Sequence, residues 1–432
     1  PPSCPIENRE SRIENPMTFT EVHYQDPATR IYLGSPGLVR LPDGTLLATH
    51  DYFGPGSPGS TCGGGSLTSL HRSTDNGRTW RNVSHLDNIY WATLFLHRGA
   101  LWLLGCSRSY GAITLRRSDD AGNTWTRPKD AATGLLFPGG PRETGPNYHG
   151  APVPVLVHQG RIYRAFEDCT PCVWGRGFQS LVISAPEDAD LLDAANWTMS
   201  NKIPFDPAWA PRERWGIATN PGWLEGNCVA APDGSVWNIL RVNAEPMPDQ
   251  AARLRVSDNG RHLDFDPVTG FFDFPGGTHK FTIRRAPRSG LYLTLSNPAA
   301  GRIPLADGTP TDVPFLGVSR RNVLTLCSSP DLWNWSVCAT LLTDDQPLDS
   351  ETSYKKTGFQ YIDWHFDGDD IIYLARVGYD GAPNFHDSNR ITFHRLWHYA
   401  ERLRHPVPFK ATRPTPATTR PSETISLVFA TA

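Results

Sequence analysis

The chain lacks a long apolar run, an excess of charge of either sign and a calcium-loop motif, and each absence removes a class of function. No apolar stretch approaches the ~20 residues that a membrane-spanning helix requires. Lys and Arg total 41 against 44 Asp and Glu, a net charge of -3. No broad basic surface is therefore left for nucleic acid. The Cys169–Cys172 CxxC has no second CxxC or His pair beside it, which argues against a zinc site there. Zinc ligation around His149 and His158 is conceivable but disfavoured, and no residue is assigned as a metal ligand. No signal peptide is visible, and the chain opens on Pro1-Pro2 without a methionine; the expectation is a mature form.

What the chain has in quantity is turn and aromatic residues: 38 Gly, 39 Pro and 14 Trp in 432 residues. That mixture suits many short strands joined by tight turns. There are 8 cysteines, an even number that leaves the disulfide pairing open. Sequons occur at Asn82-Val83-Ser84, Asn196-Trp197-Thr198 and Asn334-Trp335-Ser336. Cysteines and sequons together favour a secreted, extracellular, eukaryotic protein.

Two repeats organise the chain. The first is Ser73-Thr74-Asp75-Asn76-Gly77-Arg78-Thr79-Trp80, echoed as Ser118-Asp119-Asp120-Ala121-Gly122-Asn123-Thr124-Trp125. In such a turn the aspartate caps backbone amides, the glycine adopts a turn conformation and the tryptophan packs between sheets. Weaker copies end at Trp197 and Trp335. The second repeat is an apolar strand, a polar turn with glycine and another apolar strand, centred on Gly44, Gly99, Gly160, Gly234, Gly290 and Gly368.

The two full copies resemble the Asp-box of sialidase-type β-propellers. The fold expected from that resemblance is all-β, a seven-bladed propeller. Six blades are read directly, and the seventh is built from N-terminal TFTEVHYQ and C-terminal RITFHRLWHYA. The propeller is expected over 1–412 as one domain, with 413–432 a Pro/Thr-rich tail. A closed propeller defaults to a monomer.

The sialidase resemblance does not extend to the first blade, where Gly34 stands in place of that family's carboxylate-binding arginine. The stretch YLGSPGLVRLPDGTLLATHDYFG resembles instead the ulvan lyases and the rhamnose-glucuronate lyases. In order and spacing, His50 and His71 (21 apart) and Tyr148 and Arg164 (16 apart) match the site of the ulvan lyases. The resemblance implies β-elimination at a uronate. Arg164 and His71 would neutralise the carboxylate, and His50 and Tyr148 would move the protons. Arg164 has a plainer reading as a partner of Glu167 or Asp168.

The density of polar and aromatic residues marks further substrate-binding candidates: His149, Glu167, Arg214, Trp215, Asn220, Glu225, Asn227 and Tyr361. Paired carboxylates drawn from Asp51, Glu167 and Glu225 would suit a glycosidase, but no spacing favours a pair. The chemistry requires no organic cofactor, and a structural Ca²⁺ held by carbonyls or carboxylates could stabilise the ring. The expected partner is a uronate-containing polysaccharide or oligosaccharide. The reading is a secreted polysaccharide lyase, an L-rhamnose-α-1,4-D-glucuronate lyase releasing rhamnose from gum arabic or arabinogalactan side chains. Ulvan lyase, exo-glycoside hydrolase (rhamnosidase or sialidase-like) and non-catalytic glycan-binding propeller are the alternatives.

Overall fold

A computed structural model describes residues 19–57, 65–304 and 309–413. Each of the six hairpin glycines joins the two inner strands of one blade. All six have positive φ, from 65° at Gly368 to 90° at Gly44, where a side chain would be strained.

Blade 1 runs outward as Tyr32–Arg40, Leu46–Phe53, Leu67–Ser73 and Arg81–Asp87. Blade 2 is Tyr90–His97, Ala100–Cys106, Ile113–Ser118 and Leu135–Phe137. Blade 3 has a split inner edge, Tyr148–His149 and Leu156–His158, on Arg161–Cys169 and Phe178–Pro186. Blade 4 begins with Gly222–Ala230, Val236–Asn243 and Gln250–Ser257. Blade 5 holds Ile283–Arg285, Tyr292–Ser296, Val323–Ser329 and Ser336–Thr343.

Blade 6 corrects the expected count of seven. Gly358–Asp367 and Asp370–Gly378 form its inner pair, and the hairpin between them already needs two outer strands. Arg390–Leu396 and Thr20–Tyr24 supply them, with Thr20 opposite Phe393 and Tyr24 opposite Arg390. The two ends of the chain therefore close the sixth sheet, and six blades are found among the described residues. Leu33, Leu38, Leu46 and Ala48 of blade 1 pack against Val22, Ile372, Leu374 and Phe393 of blade 6 and bury the seam.

The Asp-boxes sit between third and fourth strands. Asp75 accepts from Thr79 N (3.0 Å) and Thr79 Oγ1 (2.6 Å), Ser73 Oγ accepts from Gly77 N (2.8 Å), and Trp80 Nε1 donates to Gly77 O (3.2 Å). The second copy repeats this through Asp120, Gly122 and Trp125. Trp197 and Trp335 likewise donate to backbone carbonyls, of Leu191 and Leu332.

The six described cysteines carry free thiols, Cys327 and Cys338 among them. Cys4 and Cys62 lie outside the described residues, as does all but the first residue of the expected tail.

Candidate functional site

The inner strands of blades 1, 2, 4 and 6 share one irregularity. Their register slips between Gly34 and Gly37, Tyr90 and Thr93, Leu224 and Asn227, and Gln360 and Asp363. Each slip contains one residue of left-handed φ: Ser35, Trp91, Glu225 and Tyr361. A bulge of this kind re-aims a side chain out of the sheet's alternation. In this protein, bulge residues from non-adjacent blades meet: Tyr361 Oη donates to Glu225 Oε1 at 2.7 Å.

The second strands of the blades bring charge to the same centre. Arg241 Nη1 donates to Glu225 Oε2 at 2.7 Å. The Arg376 guanidinium lies 5.0 Å from the centre of the Tyr361 ring and 4.7 Å from that of Phe53. Arg321 donates to Gln360 Oε1 and reaches the same group of charges. All three arginines are buried. Burial pushes Arg321 down to about 9; Tyr361 and Glu225 oppose that push, and Arg241 and Arg376 reinforce it. Three buried arginines thus gather where Glu225 is the carboxylate in direct contact, through Arg241, while Asp387 also acts on Arg376.

Burial also opposes ionisation of Glu225, but Arg241, His149 and Tyr361 together hold its carboxyl below the usual range. Tyr361 moves the other way: burial raises its phenol and Glu225 adds to that, against the pull of the three arginines. Asp51, on blade 1, is raised to about 7 by burial, although Thr68 Oγ1 donates to it at 2.5 Å and Trp91 N at 2.8 Å. On the opposite wall, His149 Nδ1 lies 2.8 Å from Glu167 Oε2, and the Trp91 ring packs 4.4 Å from His149. Gly226 N donates to Glu167 Oε1 at 3.2 Å. The result is a carboxylate-bound phenol beside an arginine cluster, with the buried Asp51 held separately by Thr68 and Trp91.

The other candidates take separate places. His50 and His71 face each other at 3.2 Å between blades 1 and 6. Tyr148 and Arg164 belong to blade 3. Tyr148 alternates away from His149; its hydroxyl approaches Met199 Sδ at 4.0 Å, and burial raises it to about 12. Arg164 is fully buried, donating to Ala165 O, Ala151 O and Thr93 Oγ1, and burial lowers it to about 10. No contact among the described residues joins Tyr148 or Arg164 to the two histidines. Arg214 is pinned by Asp273 at 2.6 Å, and Trp215 is core, its Nε1 donating to Gln250 at 3.1 Å. Asn220 donates to Trp174 O at 3.1 Å in a loop. Asn227 ties blade 4 to blade 5 through Phe281 O and Ile283 N.

Arg241, Arg321 and Arg376 did not emerge from the sequence reading. A signal for two of them exists: each is the lone charge near the end of an apolar second strand, in NILRVN and YLARVG. Asp51, Glu167 and Arg241 each stand seven residues after their hairpin glycine, Gly44, Gly160 and Gly234, where a second strand reaches the mouth of the ring.

No family model matches the chain, and no curated protein matches it. Its fold is shared with solved carbohydrate-active propellers. A Penicillium chrysogenum α-L-arabinanase complexed with arabinobiose aligns at a TM-score of 0.53 and 14% identity, over 89% of this chain and 98% of that one. A Hadza microbial sialidase aligns at 0.52 and 16%, over 88% and 69%. The Trypanosoma rangeli sialidase in complex with sialic acid aligns at 0.52 and 14%, over 84% and 54%. The chain is thus an all-β, sialidase-like β-propeller.

Proposed function

We propose that the protein is a retaining exo-glycosidase that removes a terminal sugar bearing a carboxylate. The observation that carries this reading is the cluster of three buried arginines beside the Tyr361–Glu225 pair. Unpaired buried cations are costly, and an anionic substrate group set against Arg241, Arg321 and Arg376 would neutralise them. Guanidinium forks suit a carboxylate because they bind it bidentately.

The roles follow from the geometry. Glu225 takes the phenolic proton as Tyr361 Oη attacks the anomeric carbon; a tyrosine needs such an adjacent base, because its own pKa is too high. Asp51, whose carboxyl burial raises to about 7, gives its proton to the departing oxygen. Water then attacks the anomeric carbon of the glycosyl-tyrosine, with Asp51 receiving its proton, and Glu225 returns its proton to the departing phenolate, which restores the phenol. The sialidase and arabinanase neighbours support a hydrolytic reading of the propeller.

A second reading uses the same arginines. A clamped uronate has an acidified C5 proton, and Tyr361 is placed to remove it, which would make the enzyme the lyase expected from the sequence. The two reactions leave different products. The test is incubation with aryl glycosides of sialic acid, glucuronic acid and arabinofuranose, and separately with gum arabic and ulvan, while following aryl release and ultraviolet absorbance. Aryl release from an acidic glycoside alone is the expected result. An unsaturated uronate signal would replace hydrolysis by elimination. Preference for the neutral arabinoside would overturn the carboxylate assignment.

A further inference from the structure

We propose that His23, His50 and His71 form a zinc-binding site that clasps the two ends of the ring together. His23 lies on Thr20–Tyr24, the outer strand of blade 6, whereas His50 and His71 lie on neighbouring strands of blade 1. The three rings form one cluster, His50 stacked on His23 and His71 with centroids at 5.0 and 5.1 Å, and His23 tilted against His71 at 5.3 Å. One ligand atom from each falls within 4.8 Å of the others.

The distances suit a transition metal. Tetrahedral zinc with bonds of about 2.0–2.1 Å places its ligand atoms roughly 3.4 Å apart. The Nε2 atoms of His50 and His71 are 3.2 Å apart. His23 is the half-buried member of the three and lies on the side of the cluster nearest solvent.

The donor chemistry agrees. His50 Nδ1 lies 3.3 Å from the carbonyl of Asp51, a contact that holds the proton on Nδ1 and leaves Nε2 as a lone pair. His23 Nε2 is buried with no hydrogen-bond partner. A buried polar nitrogen without a partner calls for an explanation, and a cation supplies one. The set is wrong for the calcium ion considered from sequence, which takes oxygen ligands.

Such an ion would bind only the closed ring, so it would stabilise the folded state by mass action. It does not depend on the proposed glycosidase chemistry. The test uses the full chain, stripped with chelator and reloaded with zinc chloride. Bound metal is measured by elemental analysis, and the melting temperature is followed. A parallel sample takes cobalt(II), whose visible spectrum reports tetrahedral nitrogen ligation. One zinc per chain, a rise in melting temperature on reloading, and loss of both in His71→Ala and His23→Gln are the expected results. His23→Gln lies at the half-buried edge and keeps the test valid if His71→Ala does not fold. Wild-type protein that holds no zinc after reloading, or variants that hold as much as wild type, would overturn the proposal.

Discussion

Tyr361 Oη rests 2.7 Å from Glu225 Oε1, although 136 residues and one intervening blade separate the two in the chain. Each residue occupies a bulge of left-handed φ on its inner strand, so both side chains leave the sheet and meet. Tyr361→Phe retains the ring against Arg376 and removes only the oxygen that attacks. Loss of about 10²–10⁴-fold in kcat is expected, with the affinity for a free acidic sugar unchanged. Steady-state kinetics on an aryl glycoside, combined with calorimetric titration of the sugar, check this. A variant with full turnover would remove Tyr361 from the reaction.

Arg321 carries a second prediction, because its charge is less well compensated than that of Arg241. Arg241 has the Glu225 carboxylate at 2.7 Å, whereas Arg321 is crowded by two arginines and donates to the neutral amide of Gln360. Arg321→Met should therefore stabilise the protein while harming the enzyme. Replacement of a buried, poorly paired charge by an apolar side chain is expected to gain about 1 kcal/mol. Truncating a carboxylate-binding arginine should lower kcat/KM for acidic substrates on the order of 10²-fold or more. A melting curve and a kinetic run on the same preparation test both halves. A fall in melting temperature together with unchanged kinetics would show that Arg321 is structural.

The architecture was more legible in the sequence than the site. Six glycines with the same flanking pattern mark six hairpins, because a two-strand turn is encoded within about fifteen residues. The two terminal strands also declare themselves as strands. Their partners do not: Thr20 meets Phe393 across nearly the whole chain, and no local pattern distinguishes a new blade from the edge of an existing one. The spacing of His50 and His71 is likewise a ladder effect. Ala48 pairs with His71 and His50 with Ser69, so the strands bring the two rings together whatever their chemistry. Glu225 and Tyr361 were visible as polar residues in dense segments. The bulges that join them are register slips, which composition does not show.

Asp51 sets the expected pH dependence. Its carboxyl is raised to about 7 by burial, and Glu225 is held below the usual carboxylate range. As the general acid, Asp51 must be protonated; as the base, Glu225 must be ionised. Activity should persist into acid and fall as pH rises through about 7, and Asp51→Asn should lose about 10²–10⁴-fold. The loss should be smallest for aryl leaving groups that need no proton. Stability follows the same group. Between about pH 4 and 7 the folded protein keeps a proton that the unfolded chain has released, so unfolding free energy declines as pH rises. Asp249, raised to about 7 in the same way, contributes in the same direction. Asp51→Asn should flatten this decline only in part, which melting temperatures measured across that window would reveal. An unaltered slope would mean that Asp51 titrates where an ordinary carboxylate does.

Gly77 and Gly99 offer a comparison in which only one variable differs. Both have positive φ, 85° and 79°, so alanine at either incurs a similar left-handed penalty of about 1–2 kcal/mol. A Cβ at Gly99 meets nothing within 4 Å. A Cβ at Gly77 would collide with the Phe393 ring of blade 6, which packs 5.5 Å from Trp80. The first Asp-box is thus pressed against the strand that closes the ring, and its glycine is needed for contact as well as for the turn. Gly77→Ala should cost about 1–3 kcal/mol beyond Gly99→Ala, the usual cost of overpacking. The double variant Gly77→Ala/Phe393→Leu should recover part of that excess, because leucine lacks the ring atoms that clash. Denaturant unfolding of the three variants measures the difference. Equal losses at the two glycines would mean that the seam between blades 6 and 1 yields without resistance.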